Sequence, residues 1–349
     1  MIVKINKSSK INTINFQNLN FGEIFTDHMF VCDFENNTWK EPQILPYDDI
    51  KISPSSSVFH YGQAVFEGMK AFKDDDGGIW LFRPEDNFKR LNISSKRLSI
   101  PEFPKKYFFE GLKKLLLLDQ EWIKTGYGNS LYVRPFVFAN KAGVSASPSD
   151  KYKFMIICSP AKSYYSGDTN VKIEENYSRA CKGGIGFAKA AGNYAAQFYP
   201  TSLAINQGFQ QVIWTDSETH SFIEESGTMN IFVKINDTLI TSPTGDTILD
   251  GITRRSIIEL SKHFNQKVEI RKLSVDELVK SAENLELNEM FGCGTAVVIN
   301  PIKSFSYKNK KFNLPEIKDN STQNILKESI LKIQYNKSSD IFNWRYKIN

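Results

Sequence analysis

Lys189 stands in an unusual setting, Gly183-Gly-Ile-Gly-Phe-Ala-Lys-Ala-Ala-Gly-Asn-Tyr194, with small residues on both sides and a tyrosine five positions on. Burial disfavours the charged form of an amine, so a lysine in a desolvated site has a lowered pKa. Its neutral amine can then attack a carbonyl carbon to give a Schiff base. A flexible glycine loop bearing a surface lysine is the simpler reading of this segment taken alone.

Carboxylates and anion-binding turns supply further chemistry. In Ile223-Glu-Glu-Ser-Gly-Thr-Met-Asn-Ile-Phe232 a carboxylate pair that includes Glu225 precedes Gly227 and an apolar strand, and one of the two can face inward. An inward carboxylate beside a heteroaromatic nitrogen keeps that nitrogen protonated, which makes a pyridinium ring an electron sink. A solvated strand end explains the pair equally well. Asp250-Gly-Ile-Thr-Arg-Arg255 opens a helix whose first backbone N–H groups, with the Thr253 hydroxyl, face an anion at the positive end of the dipole. Gly292-Cys-Gly-Thr-Ala296 offers a second backbone nest, and Arg90 a guanidinium clamp for phosphate. Each of these is also read as a plain cap, a tight turn or a surface arginine.

Other chemistries find no support. His28, His60, His220 and His263 show no i, i+4 pair, and Cys32, Cys158, Cys181 and Cys293 form no C-x-x-C, so neither a metal site nor a disulfide framework is expected. There is no G-x-x-x-x-G-K-[ST], no G-x-G-x-x-G after a strand and no G-x-S-x-G elbow.

These residues need a scaffold, and 349 residues suffice for about two domains with a substantial core. Helices are expected at Pro84–Leu98, Tyr107–Leu118, Thr253–Phe264, Val275–Asn284 and about Gln323–Tyr335, the fourth opened by the capping-box pattern Ser274-Val-Asp-Glu277. Strands are expected at Leu131–Ala139, Tyr152–Cys158, Gln211–Asp216, Thr228–Ile235 and Thr238–Thr241. Alternation along the first puts Tyr132, Arg134 and Phe136 on one face. A linker fits Ser159–Asp168, and a polar hairpin or loop Tyr307–Asn320.

Forty-four Lys+Arg against 39 Asp+Glu give a net charge of +5 that is scattered along the chain, which offers nucleic acid no basic patch. Nowhere do 18 apolar residues run together, and Met1–Asn20 lacks a signal-peptide core. The expectation is a cytoplasmic protein without a membrane anchor.

In combination the segments resemble the branched-chain amino-acid aminotransferases, pyridoxal-phosphate enzymes of fold type IV, in order from about Phe21 to Tyr346. In the first half the likeness rests on Phe25-Thr-Asp-His-Met29, Phe59-His-Tyr-Gly-Gln-Ala-Val-Phe-Glu-Gly-Met-Lys-Ala-Phe72, Leu81-Phe-Arg-Pro84 with Asn87 and Arg90, and Leu131-Tyr-Val-Arg-Pro135. In the second half it rests on Ala188-Lys-Ala-Ala-Gly-Asn-Tyr194, Glu225-Ser-Gly-Thr-Met-Asn-Ile-Phe232, Leu249-Asp-Gly-Ile-Thr-Arg-Arg255 and Gly292-Cys-Gly-Thr-Ala296. The resemblance implies an α+β fold of two domains, each a β-sheet or β-barrel layer packed with helices. These are a smaller N-terminal domain over 1–160, an interdomain loop over 161–173 and a larger cofactor-binding domain over 174–349.

The resemblance further implies that Lys189 forms the Schiff base with pyridoxal phosphate and acts as general base, that Tyr194 meets the ring oxygen and that Glu225 pairs with the pyridine nitrogen. Arg90, Ile252, Thr253 and Thr295 would hold the phosphate, and Thr228 belongs to the same cofactor set. The substrate carboxylate would meet Tyr132 and the backbone at Thr295 and Ala296. Tyr61, Phe66 and Tyr164 would wall the side-chain pocket, and Arg134 would receive the distal carboxylate of glutamate. A homodimer is implied, with a partner loop matching Ala142-Gly-Val-Ser145.

Three departures are plain: Ala191 and Ser226 replace a common glycine and a common apolar residue, and Val297 and Asn300 stand where mammalian relatives have a redox cysteine pair. The implied reaction moves the amino group of L-leucine, L-isoleucine or L-valine to 2-oxoglutarate, giving L-glutamate. A D-amino-acid or amine transaminase, or aminodeoxychorismate lyase, shares the lysine and the glutamate. A non-catalytic phosphate-binding protein would not need Lys189, Glu225 and Tyr194 together.

Overall fold

A computed structural model of the chain describes residues 1–6, 8–162 and 169–349; Tyr164 and part of the expected linker lie outside the described residues. The chain forms two compact units, one of Met1–Tyr164, Ala188–Gly192 and Lys332–Asn349, the other of Tyr165–Phe187 and Asn193–Leu331. Two excursions cross the continuous division read from the sequence. Ala190 makes an antiparallel bridge with Val65, and Arg345–Lys347 pairs with Ile79–Phe82, so backbone hydrogen bonds draw both segments into the first unit.

The first unit is built on a 10-stranded sheet. Its main path runs Ile2–Val3, Gln43–Pro46, His28–Glu35, Tyr152–Ala161, Ser130–Ala139, Met69–Lys73, Ile79–Phe82 and Arg345–Lys347, with Ala64–Phe66 pairing beside Ser130–Ala139. Helix Lys105–Leu118 turns Phe108, Leu112, Leu115 and Leu116 inward, the 3.6-residue spacing of a single face. Phe30, Phe103 and Phe154 are buried with them, Phe103 stacked on Phe154 at 3.7 Å. Full burial of each such side chain stabilises the fold by about 1.5–3 kcal/mol.

Helix Pro84–Arg97 starts with proline in its first turn, carries Glu85 and Asp86 there and ends on Lys96 and Arg97, all of which suit its dipole. Its buried face is partly polar, with Asn87, Arg90 and Ser94. A face that buries an amide, a guanidinium and a hydroxyl does more than pack.

In the second unit, Met229–Ile235, Leu287–Gly294, Val298–Tyr307, Thr169–Ile173, Gln211–Thr215 and Phe222–Ser226 pair in that order, and the last pairs back with the first. This ring is a closed barrel, which leaves no free edge among those strands. Val171, Ile173, Ile213, Ile231, Val233, Met290 and Phe305 belong to its buried apolar cluster.

The expected helices are found within two residues of their ends, at Pro84–Arg97, Lys105–Leu118, Ile252–His263, Val275–Glu283 and Thr322–Gln334. The expected hairpin is Val298–Tyr307 with Lys310–Asn313. Helix Ala191–Asn206 goes beyond the sequence reading, because Gly192 and Pro200 both disfavour helix and mask its span. The capping box at Ser274 forms only by half: the Ser274 hydroxyl accepts the Glu277 N–H (3.0 Å), but the Glu277 carboxylate is taken by Arg271 (2.6 and 2.9 Å).

Candidate active site

In the first unit the backbone of Lys189 is clamped from both sides. Its N–H donates to the Ser94 hydroxyl (2.9 Å), and its carbonyl accepts the Phe66 N–H (3.1 Å). The partly buried side chain lays Nζ 4.6 Å from the centroid of the Phe66 ring. The Arg134 guanidinium also lies 4.6 Å from that ring, so two cations share one aromatic side chain.

Arg134 Nη2 donates to the Tyr132 hydroxyl (3.0 Å), as their common strand face requires. Arg134 Nε is buried without a hydrogen-bond partner, a donor that the fold has not satisfied. The Tyr132 hydroxyl lies against Gly68, where a Cβ would collide with it. Phe21 packs edge-on against the Tyr132 ring at 4.8 Å.

Arg90 is fixed by Glu67, with Nε to Oε1 at 2.7 Å and Nη2 to Oε2 at 3.0 Å. Glu67 is fully buried and also accepts from Asn87 Nδ2 (2.7 Å) and the Gly68 N–H (3.1 Å). The fork of the guanidinium is thereby oriented before any anion arrives. Tyr61 is not gathered with these residues. It is exposed on the short helix Ser57–Tyr61, where its hydroxyl donates to the Val144 carbonyl in the loop Ala142–Ser145.

In the second unit Glu225 is 3% exposed and lies on strand Phe222–Ser226. Arg179 donates to its Oε2 from Nε (3.0 Å), and the Leu249 N–H (2.5 Å) and Asn230 Nδ2 (3.3 Å) donate to Oε1. Three donor groups, one of them cationic, thus converge on the Glu225 carboxylate. Arg179 also grips the Gly186 carbonyl (2.9 Å), three residues before Lys189 in sequence.

Gly251 caps the helix Ile252–His263, and a Cβ on it would collide with Asn230 Oδ1. The first-turn residues Ile252 and Thr253 are buried. Thr295 and Ala296 form the turn between Leu287–Gly294 and Val298–Tyr307, narrower than the nest expected over Gly292–Ala296, whose first three residues are strand. That turn is followed by Val298 at φ +61°, a conformation a β-branched residue adopts only under strain. Thr228 is exposed beside Gly227, and Tyr194 lies in the first turns of Ala191–Asn206.

Sequence reasoning assigned no role to Glu67, Ser94, Arg179, Phe21 or Asn230. Ser94 is one helical turn beyond Arg90, so the buried polar face was a usable signal. Arg179 sits ten residues from Lys189 and 46 from Glu225, and no local pattern ties it to either.

Residues 64–305 match the family model described as amino-transferase class IV. The chain belongs to the class IV aminotransferases. Within that class it is similar to a protein of Staphylococcus aureus named probable branched-chain-amino-acid aminotransferase, 43% identical over 336 residues, covering 95% of this chain and 94% of that one. It is 42% identical to branched-chain-amino-acid aminotransferase 2 of Bacillus subtilis, covering 93% and 91%. The fold is that of the solved branched-chain amino acid aminotransferase from Escherichia coli, with TM-score 0.75 at 23% identity over 93% of this chain and 99% of that one. It is likewise that of the Thermobaculum terrenum enzyme solved in its PLP form, with TM-score 0.76 at 20% identity over 93% and 98%.

Proposed function

We propose that the chain is a transaminase that moves the amino group of L-leucine, L-isoleucine or L-valine to 2-oxoglutarate, with pyridoxal phosphate as cofactor. The observation that carries this reading is the clamp on Lys189, which presents one amine over an aromatic ring instead of leaving it on a mobile loop.

The donor set fits the cofactor. Glu225 is a buried carboxylate suited to a cationic ring nitrogen, and the helix start at Ile252 and Thr253 offers backbone N–H groups to a phosphate. Pyridoxal phosphate, when bound, supplies a carbonyl for the amino group and a ring that accepts the electron pair released at the substrate Cα.

Lys189 Nζ would be the point of covalent attachment and, as a free amine, the base for the substrate Cα proton. Glu225 would hold the proton on the ring nitrogen, and Tyr194 would donate to the ring oxygen. Arg90, oriented by Glu67, would take the phosphate, as would Ile252, Thr253, Thr228 and Thr295. Tyr132 and the backbone at Thr295 and Ala296 would bind the substrate carboxylate, while Phe66 and Tyr164 would wall its aliphatic side chain. Arg134 receives the distal carboxylate of glutamate, a role supported by its unsatisfied Nε.

We also infer a cytoplasmic homodimer. Exposed Phe59 and Val144 near Tyr61, and Phe198, Tyr199 and Ile205 on helix Ala191–Asn206, support a covered surface, and four free cysteines suit a reducing compartment. No helix among the described residues is long and apolar enough to cross a membrane.

The test is glutamate formation from L-leucine and 2-oxoglutarate by protein supplied with pyridoxal phosphate. Lys189→Ala is expected to lower turnover by about a thousandfold or more with unchanged circular dichroism. Borohydride reduction should leave a pyridoxyl group on the Lys189 peptide of the unaltered protein. Label elsewhere, or turnover of D-alanine alone, would overturn the reading.

A further inference from the structure

A cavity of about 270 Å³ opens in the second unit behind the strand that carries Glu225. Successive side chains of a strand point to opposite faces, so Glu224 turns away from Glu225 and lines this cavity. The Glu224 carboxyl is partly buried, burial pushes its pKa up, and it accepts one hydrogen bond, from the Thr247 hydroxyl (2.5 Å).

Of the three other carboxylates of the lining, Glu218 is exposed and two are already used. Asp216 takes the N–H groups of Thr219, Ser221 and Phe222 and the Thr219 hydroxyl, each at 2.8 Å, and Asp246 takes the Gly183 N–H at 2.9 Å. Lys182 and Lys272 line the same cavity from exposed positions. Lys272 Nζ rests 5.0 Å from the Phe222 ring centroid, and no ion pair occupies either lysine among the described residues. Phe222, Pro243 and Ile248 add an apolar wall.

The lining is therefore a carboxylate within, two ammonium groups and the Glu218 carboxylate at exposed positions, an apolar side and space for one small molecule. We propose that this cavity binds a small zwitterion of the α-amino-acid class, with its ammonium on Glu224 and its carboxylate on Lys182 and Lys272. None of these residues has a part in the transamination proposed above, so the site is separate from that reading.

Its position has a consequence for the other face of the strand. Residues 242–249 hold three consecutive strand residues: the Ser242 hydroxyl donates to the Ile223 carbonyl (2.5 Å), Thr247 to Glu224 (2.5 Å) and the Leu249 N–H to Glu225 (2.5 Å). A ligand on Glu224 thus acts on the same loop that fixes Glu225.

The test compares three molecules of one shape by calorimetric titration of the borohydride-reduced holoenzyme. α-Aminoisobutyrate is the zwitterion and lacks a Cα proton, tert-butylamine replaces its carboxylate by methyl, and pivalate replaces its ammonium. α-Aminoisobutyrate should bind saturably, and about tenfold or more tighter than either analogue. Glu224→Gln should weaken it by about tenfold, and Lys272→Met by several-fold at least, which covers the case in which one variant does not fold. Absent saturation, binding unchanged in both variants, or equal binding of either analogue would overturn the proposal. The same titration runs on protein as isolated, so a failure to acquire pyridoxal phosphate at Lys189 is seen separately.

Discussion

Two buried ion pairs, one in each unit, join residues distant in sequence. Arg90 and Glu67 are held so tightly that removing either one strands a charge away from water. Glu67→Ala and Arg90→Ala are each expected to destabilise the fold by about 3 kcal/mol, while the double variant loses clearly less than the sum; urea unfolding of all four proteins closes the cycle. Arg179 holds Glu225, so in the proposed reaction it is a positioning residue. Arg179→Met should weaken retention of pyridoxal phosphate by about tenfold in equilibrium dialysis, and Arg179→Lys, which keeps the charge but loses the planar fork, should fall between. Equal behaviour of the two variants would mean that only packing matters at this position.

At the scale of elements, helix ends do most of the placing. Helix Pro84–Arg97 presents Arg90 and Ser94 from one face, so a single element carries the proposed phosphate ligand and anchors the backbone of Lys189. Gly251 lets Asn230 approach the start of Ile252–His263, and the Asn230 amide reaches both the Leu249 carbonyl and Glu225. The half-formed capping box gives a quantitative contrast. Ser274→Ala removes a true cap and should cost about 1 kcal/mol of stability in chemical denaturation. Glu277→Gln should cost only a few tenths, because its pair with Arg271 is partly exposed, with 38% of each side chain open to solvent.

At the scale of the whole molecule, stability must fall in acid through carboxylates that the fold holds ionised. Burial alone would raise the Asp216 pKa, but hydrogen bonds from Phe222, Thr219 and Ser221 outweigh it and hold it down to about 2, against 3.8 for an ordinary aspartate. The folded carboxyl binds its proton less readily than the unfolded one. Its contribution is therefore complete above about pH 4 and is lost as pH falls through about 2. Asp216→Asn should lower the urea midpoint at neutral pH and flatten its decline across that window; an unchanged slope would show that the turn at Ser217–His220 carries no such linkage.

Much of this protein was legible in its sequence because the relevant information is local. The period of apolar residues, proline and acid at helix starts, and alternation in Ser130–Ala139 are set by neighbours a few positions apart, and they located five helices and the shared face of Tyr132 and Arg134. The order of eight short motifs pointed to the aminotransferase class, since each turn type and cap must recur for the same backbone to form. What the linear pattern could not contain was which distant groups neutralise each other. Glu67 opposite Arg90, Arg179 opposite Glu225 and Ser94 beneath Lys189 arise only when segments 23 to 95 residues apart are brought within hydrogen-bond reach. Closure of the barrel, too, depends on the parallel pairing of Thr169–Ile173 with Val298–Tyr307, strands about 130 residues apart, a relation of whole elements that no window of sequence encodes.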